Sequence, residues 1–190
     1  MSNTGEKKRF DLRKMTVIAL MAAVMCIVGP FSIPLPVTLV PISFTFVIIF
    51  LSVYILGLKS GTLSVLIYLL LGLVGLPVFS GFTGGAAKFA GPTGGYLIGY
   101  IFLAIICGLF ADRFNGNRWL YLVGMIIGVA VCYTFGTAWL AVQANLTFGA
   151  ALAAGVLPFL IGDALKMALI TAVAPQIRKL LLRAGVLQTA

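Results

Sequence analysis

Between Lys14 and Lys59 the chain runs for 44 residues without a charge, and a second uncharged run of 44 separates Arg118 from Asp163. As one helix either run would extend roughly 66 Å at 1.5 Å per residue, about twice the ~30 Å hydrocarbon core of a bilayer. Each run must therefore fold back on itself. Composition agrees: of 190 residues 62% are hydrophobic and 9% charged, with a mean hydropathy of +1.17, whereas a soluble domain carries roughly 25% charged residues. The expected fold class is an all-α integral membrane protein. Residues 1–190 form one domain, because no charge-rich linker or low-complexity tract divides them.

The first turn is marked by Pro30, Pro34, Pro36 and Pro41 in "GPFSIPLPVTLVP", since proline lacks an amide donor and clashes with a preceding helical turn. The second falls at "QANLTFG". Six transmembrane helices follow, at approximately 15–29, 41–57, 61–75, 94–111, 119–142 and 156–177, behind a basic segment 1–14. Pro158, a favoured first-turn residue, falls near the start of the last span, which is expected to end before Arg178.

Lysine and arginine orient this array. With the N-terminus cytoplasmic, eleven of the thirteen basic residues fall on the inner side: Lys7, Lys8, Arg9, Arg13, Lys14, Lys59, Arg113, Arg118, Arg178, Lys179 and Arg183. The excess predicts cytoplasmic N- and C-termini and a multi-pass protein of a cell membrane. The net charge of +9 is thus topological, and no basic face remains for nucleic acid. The N-terminal basic segment and the apolar run behind it read as a retained anchor, because no small-x-small cleavage site separates the first two spans. Cys26, Cys107 and Cys132 lie in apolar runs at no metal-like spacing; they read as buried small hydrophobes without a disulfide, and no metal site is expected.

Asp163 and Lys166 are the ionisable residues placed within a span. Three apart, they share a helical face. A charge at mid-bilayer costs at least ~2.5 kcal/mol, so such residues pair, face a cavity or carry function. The pair could only orient its helix, or it could anchor a small solute, since a carboxylate accepts N–H donors and an ammonium donates to oxygen. On the outer side lies "SGFTGGAAKFAGPTGGY", residues 80–96, with six glycines and one charge, Lys88. It lacks both phosphate-binding glycine patterns and no strand precedes it. A plain connector and a lid over a pocket both remain open, the lid explaining loop and pair together. Ala19 and Ala23 form a small-xxx-small pair suited to close packing, within the molecule or against a membrane partner. Catalysis is not expected: the chain has no histidine, Leu160 breaks the G-x-G-D of an intramembrane aspartyl protease, and no second intramembrane aspartate completes a dyad.

Residues 75–100, "GLPVFSGFTGGAAKFAGPTGGYLIGY", resemble the signature segment of the BioY family, the substrate-binding S components of energy-coupling factor (ECF) biotin transporters. "VPISF" at 40–44 and "PFLIGDALK" at 158–166 are similar to that family's motifs on its second and sixth helices. The resemblance implies a high-affinity biotin-binding subunit that captures the vitamin under loops one and three. It would deliver biotin with a transmembrane T component and two ATPase subunits. This chain would bind no cofactor itself, ATP being held by the partners. By the same resemblance Thr83, Gly84, Gly85, Tyr96, Asp163 and Lys166 contact the ligand, and Ala19 and Ala23 match an A-x-x-x-A docking motif. Thr83 stands where some relatives have asparagine, Thr45 where many have glutamine, and Leu97 where some have arginine. Lys88 is then a candidate to replace the missing arginine opposite the biotin carboxylate. The alternatives are an S component for another small vitamin, a solitary biotin transporter, or a structural or assembly membrane protein whose Asp163 and Lys166 pair only with each other.

Overall fold

The computed structural model describes residues 12–34, 36, 40–114 and 116–185; Lys7, Lys8 and Arg9 of the expected basic segment lie outside them. Helix α1 (Leu12–Val28) buries Val17, Ile18, Met21, Ala22 and Met25 and turns its other face outward. It ends at Gly29, where Pro30 can supply no further amide. The proline-rich connection then forms two short antiparallel strands, β1 (Ser32–Ile33) and β2 (Ile42–Ser43), pairing Ser32 with Ser43 and Ile33 with Ile42. Residues 41–44, expected as the start of the second span, therefore belong to this hairpin and the turn behind it. The helix begins at Thr45.

Helix α2 (Thr45–Val74) is two arms joined at Gly57. Its φ of 75° and ψ of −175° lie in a region essentially reserved for glycine. In a straight helix Ser52 and Ser64 would stand roughly 18 Å apart, but their hydroxyls are hydrogen-bonded at 2.7 Å. Gly61 likewise lies so close to Val53 that an added Cβ would sit 2.7 Å from its Cα. The arms 45–56 and 58–74 thus run back along each other. Asp112 holds the corner, its carboxylate accepting the Leu58 amide at 3.0 Å.

The 80–96 segment is more ordered than its composition suggests. It contains a bridge between Phe79 and Thr83 and a short helix, α3 (Ala86–Ala90). Gly81 N–H donates to Pro30 O at 3.0 Å and Phe31 meets Phe82 edge-on, so loops one and three are tied together. Tyr68, Phe79 and Phe89 form successive edge-to-face contacts beneath.

Helices α4 (Gly94–Arg113) and α5 (Arg118–Gln143) are antiparallel and interlock through small residues. An added Cβ would lie 2.7 Å from Cys132 Sγ at Gly99, 2.9 Å from Leu103 at Gly128 and 2.6 Å from Phe110 at Gly124. Apolar tails solvate a Leu face as well as protein does, so this close backbone approach is what favours association in lipid. Helix α6 (Phe148–Gly155), which the sequence did not reveal, occupies most of the expected last outer loop. Pro158 lies in the turn behind it, and α7 (Leu160–Arg183) starts four residues after the expected 156 and continues through Arg178. Among the described residues four helices, α2, α4, α5 and α7, are long and apolar enough to cross a membrane. Cys26, Cys107 and Cys132 are free thiols; Cys107 and Cys132 are buried, donating to Gly124 O and Tyr96 O, and Cys26 is partly buried.

Candidate functional site

At the α7 start, Asp163 is 4% exposed and Lys166 follows one turn later on the same face. Lys166 Nζ donates to Asp163 Oδ1 at 2.7 Å, which is the ion pair among the described residues, and also to Ser43 O at 2.7 Å. It approaches the Phe44 and Phe46 rings at 6.0 and 5.9 Å. The second carboxylate oxygen of Asp163 receives the Tyr133 phenol from α5. α7, α5 and the β2–α2 junction therefore converge on one polar cluster in an apolar setting. Ser43 Oγ is in turn within 2.7 Å of Thr45 Oγ1.

This cluster forms the polar side of a cleft of about 380 Å³, partly open to solvent, whose other walls include Pro41, Phe46, Tyr96, Tyr100, Gly155 and Phe159. Tyr96 is fixed in place, its hydroxyl donating to Gly155 O at 3.1 Å. A second cleft of about 360 Å³ shares Val40, Pro41, Ser43, Tyr96 and Tyr100 with the first and extends to Phe79, Ser80, Lys88, Thr93 and Leu97. Two tyrosines and the loop-one hairpin thus form a common wall. The polar pair lines the first cleft and Lys88 the second.

Lys88 differs from Lys166. Among the described residues its ammonium has no hydrogen-bond or ion-pair partner, and burial lowers its pKa from the ordinary lysine value. It lines the same cleft as Leu97, the position at which a basic residue was expected from the resemblance but is missing.

The structure brings together Tyr96, Asp163 and Lys166, and separately Tyr96 and Lys88. Thr83, Gly84 and Gly85 line neither cleft; they build loop three. Thr83 Oγ1 donates to Ser80 O at 3.0 Å, Gly85 N–H donates to Gly72 O at 2.7 Å, and Gly84 packs against the Leu76 carbonyl. Ala19 and Ala23 are exposed, on the α1 face opposite its buried side. Packing among the described residues therefore does not account for them. Sequence reasoning missed Tyr133, Tyr100, Phe46 and Ser43; the three aromatics sit in apolar runs where an aromatic is an ordinary core residue, and the phenols of Tyr100 and Tyr133 were the detectable signal, as polar atoms in mid-span.

A model of the BioY family matches residues 3–183. A biotin transporter BioY of Thermotoga maritima is 38% identical over 148 residues, covering 78% of this chain and 86% of the relative. A probable biotin transporter BioY of Pyrococcus horikoshii is 37% identical over 169 residues, covering 87% and 96%. Among solved structures, an S-component for biotin from an ECF-type ABC transporter superposes with a TM-score of 0.84 at 32% identity, covering 92% of this chain and 95% of that one.

Proposed function

The chain belongs to the BioY family, and on that premise we propose that it is the biotin-binding S component of an ECF-type vitamin uptake transporter in a prokaryotic plasma membrane. It is non-catalytic and depends on a T component and two ATPase subunits for transport. The two arms of α2, with α1, α4, α5 and α7, make six spans, and the distribution of basic residues puts both termini in the cytoplasm. Loops one and three, joined by the Gly81–Pro30 hydrogen bond, cap the cleft on the outer face. Thr83, Gly84 and Gly85 act through the shape of that cap.

The observation that carries the reading is the pair of adjoining clefts, one lined by Asp163 and Lys166 and the other by Lys88. Biotin has a ureido ring with N–H donors and a carbonyl acceptor at one end and a carboxylate at the other. Asp163 accepts N–H donors and Lys166 donates to a carbonyl, so the pair complements the ureido group. A carboxylate placed there would face Asp163 and a lysine already neutralised at 2.7 Å. Lys88, without a partner among the described residues, suits the carboxylate. The outward Ala19 and Ala23 are the docking face for the T component.

Equilibrium titration of purified protein with biotin tests the proposal. Tight one-to-one binding is expected, weakened by Asp163→Asn and by Lys166→Ala. Protein that neither carries nor binds biotin would overturn it, as would normal binding by both variants.

A further inference from the structure

A second polar cluster lies at the other end of the bundle, fifteen residues beyond Asp163 on α7, or roughly 22 Å along the helix. Arg178 is half-buried there, its guanidinium 5.7 Å from the Tyr54 ring. It presses against the α4–α5 turn so closely that a Cβ at Gly116 would lie 2.5 Å from its Nη1. That turn is held by Tyr54, whose hydroxyl donates to Gly116 O at 2.5 Å. Arg118 lies within electrostatic range of the same phenol and stacks 5.3 Å from the exposed Trp119 ring.

Neither guanidinium has a hydrogen-bond acceptor or a carboxylate partner among the described residues. The nearby acid, Asp112, is engaged by the Leu58 amide. Topology alone requires cations on this side, but it does not require a half-buried guanidinium set over a tyrosine ring with no acceptor for its donors among the described residues; a bound anion would satisfy them. Arg118 is also the first residue of α5, whose first turn holds no acid. The positive end of a helix dipole disfavours a lone cation and adds to attraction for an anion. An exposed tryptophan beside it marks the level of the membrane interface.

We propose that Arg118 and Arg178 form a binding site for the phosphate headgroup of an acidic phospholipid, with Trp119 against its glycerol and upper acyl region. The lipid's acyl chains would lie along the exposed apolar surface of α5, which includes Val123 and Ile127. The occupant is a lipid because the cluster sits at a helix end flanked by lipid-facing surface.

The test compares detergent-solubilised protein supplied with phosphatidylglycerol, phosphatidylcholine or inorganic phosphate, read by thermal unfolding and by native mass spectrometry of retained lipid. Phosphatidylglycerol is expected to raise the unfolding midpoint and to be retained selectively. Each arginine neutralised should weaken that retention about fivefold, the equivalent of ~1 kcal/mol per basic residue near the surface. R118Q, R178Q and the double variant should thus lose the preference in steps, and K179Q should keep it. Arg118 is exposed, so R118Q keeps the test decisive if R178Q does not fold, and biotin titration reports folding separately. Equal retention of both lipids, an unchanged preference in the double variant, or equal stabilisation by inorganic phosphate would overturn the proposal. Loss of T-component co-purification with an unchanged lipid preference would also overturn it, by assigning the arginines to a protein partner.

Discussion

Replacing Lys88 by glutamine isolates the contribution of the second cleft. The substitution keeps length and a hydrogen-bond donor but removes the charge that the carboxylate would meet. At an effective dielectric near 20 an ion pair about 4 Å apart is worth ~4 kcal/mol before desolvation is subtracted, and charge-assisted hydrogen bonds contribute about 1.5–3 kcal/mol net. Because Lys88 is only half-buried, the lower end applies, and the expected loss of biotin affinity is roughly tenfold to thirtyfold. The assay is calorimetric titration with biotin and, in parallel, with biotinol, its neutral alcohol. Lys88→Gln should weaken biotin and leave biotinol nearly unchanged. The pH dependence has a definite sign: burial lowers the pKa of Lys88, so in the wild type biotin affinity should fall as pH rises through a value below that of a free lysine. Biotinol should show no such fall. An equal loss for both ligands would reduce Lys88 to a packing element, and no loss for either would refute the assignment. Neither result would affect the biotin-binding reading itself, which rests on titration of the wild type.

Four further perturbations probe separate parts of the structure. Tyr133→Phe removes the phenol donated to Asp163 and should lower biotin affinity about tenfold, measured by the same titration, with helical circular dichroism unchanged. Ala19→Trp or Ala23→Trp, on the exposed face of α1, should abolish co-purification with the T component while leaving biotin binding intact. Gly57→Ala forces a side chain into a positive-φ corner beside Asp112 and should destabilise the fold by about 1–3 kcal/mol, read as a lowered unfolding midpoint. Asp163→Leu with Lys166→Met should leave the fold more stable than either single variant, because no uncompensated charge remains, yet should not bind biotin.

The helical plan was legible because charge and proline punctuate it: 44 uncharged residues cannot form one span, and Lys59 stands close to the corner at Gly57. The intramembrane pair was legible for the same reason, as the costliest residues in their environment. Shape within the apolar runs was not. Helix α6 has no charge pattern to declare it, and its Thr147 cap, accepting the Ala150 amide at 3.3 Å, looks like any threonine in a loop. Pro158 suits a first helical turn, but here the tight turn behind α6 takes it, and α7 starts at Leu160. Loop three looked flexible because its glycines are visible in sequence, whereas the Tyr68–Phe79–Phe89 contacts that anchor it become visible only in space.

In the proposed biotin complex the two adjoining clefts would contribute to binding in different ways. Within the protein Asp163 already receives Lys166 and Tyr133, and Lys166 also reaches Ser43 O. A ureido ring entering there exchanges hydrogen bonds rather than adding them, and each exchange nets only about 1 kcal/mol. An analogue that cannot complete the exchange leaves a buried charge short of partners, at several times that cost. The pair is therefore suited to rejecting wrong ligands more than to holding the right one. In the proposed complex affinity would come from elsewhere: from apolar surface buried against Phe46, Tyr96, Tyr100 and Phe159, at about 25 cal/mol per Å², and from Lys88, whose ammonium has no partner among the described residues to give up when a carboxylate arrives. Changes to the ring of biotin should on this account abolish recognition, whereas changes to its tail should cost affinity only to the extent that Lys88 and the aromatic walls had supplied it.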